Sequence, residues 1–105
     1  MVDPDVRAVP HGFVHWVVYN IPAGWRFMVG NAPRGATEGI TGFGVGRYNG
    51  PCPPRRDPPH HYVFTLYALN VSQLMGHGLT RAGLLRAIGG HVVGMARLVG
   101  KFQRP

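Results

Sequence analysis

GPCPPRRDPPHHYVFTLYAL, residues 50–69, changes character halfway, and that change decides the fold. Five prolines between Pro51 and Pro59 fix φ and remove backbone donors, so the first half is neither helix nor central strand. From His61 onward, β-branched and aromatic residues predict a strand that runs to Leu69. Positions two apart on a strand share a face, so His60 and Tyr62 point together while His61 points away. A stiff loop thus delivers an imidazole and a phenol to the mouth of a sheet, which is a binding site in outline.

Upstream, Phe13-Val14-His15-Trp16-Val17-Val18-Tyr19-Asn20-Ile21 is the strongest strand pattern in the chain. Apolar residues occupy both faces and only His15 interrupts them, which predicts a central strand covered on both sides and ended by Pro22. Between Ala23 and Asn49 periodicity is weak. Trp25, Phe27 and Val29 suggest a short edge strand, and Gly39, Gly42, Gly44 and Gly46 mark a long looped connection. Downstream, Thr80 is placed to cap a helix whose apolar side is Leu84, Leu85 and Ile88. Gly83 stands where a capping box would place Glu, and Gly89-Gly90 ends the helix. Val92 to Phe102 is a last apolar segment, expected to become a strand towards its end. The sum is a mainly β domain with one short helix near the C-terminus.

Composition narrows the function classes. In 105 residues there is room for one domain, and a hydrophobic content of 45% argues against a fully disordered chain. The 16 glycines and 10 prolines are concentrated mid-chain and indicate long loops. Eleven basic residues against four acidic ones give a net charge of +7, which attracts anions of any kind. Apart from Arg55-Arg56 the basic residues are scattered, whereas a nucleic-acid binder gathers them on one helix or arm. One cysteine excludes an internal disulfide and a cysteine-based zinc cluster. No stretch reaches the roughly 20 apolar residues of a membrane span. Asp3-Pro4-Asp5 stands where a signal peptide would carry a basic region, so a cytoplasmic protein is expected.

Several motifs in order resemble the phosphatidylethanolamine-binding protein family, in its bacterial Raf-kinase-inhibitor-like branch. Asp3-Pro4-Asp5 resembles the family's first signature and is followed by His15-Trp16-Val17-Val18-Tyr19-Asn20-Ile21-Pro22. Residues 48–54 and 60–69 resemble the second signature; Gly90-His91-Val92-Val93 and residues 96–100 resemble the C-terminal pattern. The resemblance implies a β-sandwich-like fold with a small pocket for phosphate or a phospholipid headgroup. It carries the pocket onto Asp3, His15, Pro53, His60 and Tyr62. Val6-Arg7 replaces the usual Ala-Pro, and Phe102 stands where Tyr is common, so one hydroxyl is missing. The family has further strands before its first signature. A single domain over residues 1–105, incomplete at its N-terminus and able to dimerise through uncovered sheet faces, is therefore expected.

The chemistry of these five residues suits an anion. His15 and His60 each present a ring donor, stronger when protonated, and Tyr62 adds a hydroxyl. Asp3 would orient one imidazole and stabilise its charged form. The commoner role of a lone strand histidine is a satisfied core residue, and Tyr62 could simply pack. A metal site is disfavoured, because adjacent His60 and His61 face opposite ways and no HxxxH or HExxH helix is present. Cys52 between prolines lacks the helix N-terminus that would activate a nucleophile. The expectation is non-catalytic binding of a phosphate-type anion or phospholipid headgroup, with neither cofactor nor metal. Two alternatives are a kinase or protease inhibitor acting on a protein partner through the pocket rim, and nonspecific nucleic-acid binding by the basic surface.

Overall fold

The computed structural model describes all residues except 7, 8, 10, 26–31 and 33. It is mainly sheet with one short helix. The strands are β1 (Val2–Asp3), β2 (Phe13–Val14), β3 (Val18–Tyr19), β4 (Thr37–Glu38), β5 (His60–Leu69) and β6 (Val92–Phe102), and the helix α1 is Arg81–Ile88. A four-stranded sheet has the order β2-β1-β5-β6, with every pairing antiparallel, and β3 pairs with β4 in a second sheet.

The proline loop and the strand after it form as their residues dictate, with β5 starting one residue earlier than expected, at His60. It lies between β1 and β6 and pairs with β6 from His60–Phe102 to Leu69–Val92, with an irregularity at Ala68/Leu69. Its two faces are covered at opposite ends. His60 and Tyr62 are buried at the start, whereas Tyr67 and Leu69 pack at the end against a core of Val17, Tyr19, Leu74 and Ile88. The last apolar segment is strand throughout, from Val92 to Phe102, and not only towards its end.

The expected continuous strand over Phe13–Ile21 is instead split between the two sheets. Phe13 and Val14 pair with β1, while Val18 and Tyr19 pair with β4. The segment between them is buried, as its two apolar faces require: His15, Trp16 and Val17 are all under a tenth exposed. Its backbone is bonded to irregular neighbours, with the His15 and Trp16 amides donating to the Met1 carbonyl and the Gly39 amide donating to the Val17 carbonyl. Burial follows from the apolar pattern; ladder pairing depends on which partner lies alongside. Asn20 adopts a left-handed conformation (φ 56°) and ends β3. Its side chain binds the Leu74 amide and carbonyl at 2.6 and 3.1 Å, as a neighbouring strand would. The proposed edge strand of Trp25, Phe27 and Val29 falls largely outside the described residues.

Thr80 caps α1 as expected, its hydroxyl accepting from the Gly83 amide at 3.1 Å, and Gly89 closes the helix. Burial of Ile88 fastens the helix to the core and is worth roughly 1.5–3 kcal/mol. No helix of the described residues is long and apolar enough to cross a membrane.

Candidate functional site

Asp3, His15, Pro53, His60 and Tyr62 are all buried; Asp3 at the end of β1 meets His60 at the start of β5, and His15 just after β2 meets Tyr62, while Pro53 lies in the proline loop. Asp3 and His60 are 57 residues apart in sequence, yet Asp3 Oδ2 lies 2.7 Å from His60 Nδ1. The other Asp3 oxygen accepts from the Asp5 amide at 2.8 Å, which fixes the carboxylate at the turn after β1. Asp5 itself points outward to His61, whose backbone amide and Nδ1 both reach Asp5 Oδ2. The adjacent histidines therefore face opposite sides, His60 towards Asp3 and His61 towards Asp5.

Asp57 is the site residue that the sequence reading missed. Its Oδ2 lies 2.8 Å from His60 Nε2, so His60 is held between two carboxylates. Ionised, both partners accept only, an arrangement that favours the doubly protonated, charged imidazole. Its pKa is accordingly raised, above all by the hydrogen bond to Asp3, with burial opposing and Asp57 adding to the rise. The missed signal was local: Asp57 precedes His60 by three residues, and Pro58-Pro59 between them restrict where the carboxylate can go.

His15 uses Nδ1 to donate to the Asn49 carbonyl at 2.9 Å, which puts its hydrogen there and leaves Nε2 for another partner. Its ring meets those of Phe13, Phe43 and Tyr62 edge-on at 5.4–5.5 Å, an aromatic frame that holds it beside Tyr62. The Tyr62 hydroxyl is buried and has no hydrogen-bond partner among the described residues. It feels the Asp3 charge without bonding to it in good geometry. Burial first, and Asp3 second, push its pKa up to about 12, so it stays a protonated donor.

Pro53 lines the loop and lends its carbonyl to Arg104 Nε at 2.5 Å, while Gln103 Nε2 donates to the Asp57 carbonyl at 3.2 Å. The segment after β6 thus clamps the loop backbone at two points. A separate apolar groove of about 1270 Å³ runs past Val14, Trp16, Leu66, Leu84 and Met95, and none of the five site residues lines it. Convergent ionisable groups select the cluster around His60 as the candidate site instead.

Residues 1–103 match the sequence model of the phosphatidylethanolamine-binding protein family. The chain is 38% identical to a UPF0098 protein of Pyrococcus abyssi over 97% of its own length, and spans 60% of that relative. Among solved structures it superposes on a Chlamydia trachomatis homologue of phosphatidylethanolamine-binding protein with a TM-score of 0.85 at 35% identity, covering 99% of this chain and 66% of the other. It superposes equally well, 0.85 at 27% identity, on YbcL of E. coli, described as a member of the mammalian PEBP family, covering 99% of this chain and 68% of that one. Fold, ordered motifs and the match along nearly the whole sequence agree: the chain belongs to the phosphatidylethanolamine-binding protein family.

Proposed function

We propose that the pocket framed by His15, His60 and Tyr62 binds a small phosphate-type anion, free or as the headgroup of a phospholipid, and does not turn it over. The observation that carries this reading is the buried, unpartnered Tyr62 hydroxyl. A buried polar group without a partner costs about 1–3 kcal/mol, and the acceptor it lacks is what an anion oxygen provides. The charged His60 beside it supplies the complementary sign, and Asp3 acts by holding that charge in place. The same chemistry supports binding over general-base turnover. A doubly bonded imidazolium has no lone pair with which to take a proton, and a phenol with its pKa pushed up to about 12 holds its own.

Titration calorimetry with inorganic phosphate, phosphoethanolamine and phosphatidylethanolamine vesicles tests the reading on the wild type and Tyr62→Phe. Loss of one hydrogen bond to a charged ligand is expected to weaken binding by about tenfold or more, with the fold intact. Phosphate that binds as well as phosphoethanolamine would mark a general anion site, and preference for the vesicles a headgroup site. Equal affinity of folded Tyr62→Phe and wild type for all three ligands would overturn the assignment.

A further inference from the structure

We propose that Asp57 is an internal competitor for the anion: its carboxylate occupies the Nε2 side of His60, and a phosphate-type ligand gains that donor only by displacing it. The inference rests on the anion-binding reading above, and it concerns what controls access to that site.

The two carboxylates on His60 are not equivalent. Asp3 is 2% exposed in its side chain, and both of its oxygens are engaged, one with the Asp5 amide and one with His60. Asp57 is a third exposed and makes a single side-chain contact among the described residues, the 2.8 Å bond to Nε2. Asp3 is thus the fixed partner and Asp57 the replaceable one.

The backbone under Asp57 stays in place when its side chain leaves. Its amide donates to the Pro54 carbonyl at 3.1 Å, its carbonyl accepts from Gln103, and prolines stand on the C-terminal side at Pro58 and Pro59. Release therefore needs only rotation of the Asp57 side chain towards solvent, where a carboxylate is well hydrated. With Asp57 bound, the imidazolium is already neutralised by two anions, and a third would be repelled. With Asp57 turned out, Nε2–H becomes a charged donor on the side of the ring away from Asp3. Binding is then an exchange of one anionic acceptor for another, so the apparent affinity is lowered by the stability of the Asp57–His60 pair.

Removing the competitor should raise affinity. In Asp57→Asn the neutral amide can still accept from Nε2–H, but without charge assistance; in Asp57→Ala nothing reaches the ring. Inorganic phosphate, titrated calorimetrically into the full chain, is expected to bind both variants about tenfold or more tightly than the wild type, with the alanine variant at least as tight as the asparagine one. A purely structural ion pair would instead lower the melting temperature of both variants and leave phosphate affinity unchanged; that result, or weaker binding by both, overturns the competitor role. If Tyr62→Phe weakens phosphate binding while the Asp57 variants match the wild type, the anion site stands and the competition fails. Phosphate binding by the Asp57 variants alone would support competition in its strongest form. Absence of binding by the wild type and both variants overturns the anion site and the competition together.

Discussion

His60 shows how one residue's surroundings set a pH dependence. Its folded pKa is raised above 6.5, chiefly by Asp3, so the folded state holds that proton more tightly than the unfolded chain. The resulting stabilisation is fully present below about pH 6.5 and fades as pH rises through the folded value. The difference between wild type and Asp3→Asn isolates the histidine contribution. Removing one partner of a buried ion pair costs about 3–5 kcal/mol, and the melting-temperature gap between the two proteins should be widest below about pH 6.5 and narrow in alkaline buffer. A gap that widens as pH rises would contradict the proposed charge on His60.

At the scale of elements, close packing between loops and the helix start carries the second sheet. The Ile40 amide donates to the Leu79 carbonyl at 2.9 Å, and Ile40 bridges to Thr80 at the helix cap. Gly39 makes this approach feasible, because a Cβ there would collide with the Leu79 carbonyl oxygen and with Val17. Gly39→Ala is therefore expected to destabilise the fold by about 1–3 kcal/mol in urea denaturation, since backbone on one side cannot yield as a flexible side chain would. Thr80→Ala removes the bond to the Gly83 amide and should cost about 1 kcal/mol, or roughly 4–8 °C in melting temperature. Wild-type stability in either variant would show that the helix start is held by something other than the cap and this glycine contact.

The whole molecule is elongated. Its radius of gyration is 14.1 Å, and its extents are 43 × 26 × 23 Å. A compact chain of this length would have a radius near 13 Å. The β5–β6 ladder carries uncovered apolar side chains: Leu66, Val93, Met95, Leu98 and Val99 are each about half exposed or more. Apolar area on this scale favours contact with a second surface. Self-association that strengthens with concentration is expected in size-exclusion chromatography and sedimentation. Leu98→Lys should weaken it, with no more than about 0.5 kcal/mol of change in chain stability, because Leu98 is 69% exposed. A wild-type monomer at all concentrations would refute this expectation.

Features that depend on neighbouring residues could be read from the sequence. Alternation and β-branching located β5, Thr80 and Gly89 bounded the helix, and period-two geometry separated His60 from His61. The motif resemblance named Asp3, His15, Pro53, His60 and Tyr62; all five are buried, with Asp3 on His60 and His15 on Tyr62. Features that depend on partners distant in sequence could not be read. Apolar residues on both faces of Phe13–Ile21 required burial, but only the positions of β1 and β4 divided that segment between two sheets. Likewise, the sequence reading missed Asp57 although it lies three residues from His60, and the second carboxylate on that ring comes from 57 residues away. Local sequence fixes dihedral preference and facing. Which charge meets which is set by the long-range closure of the chain.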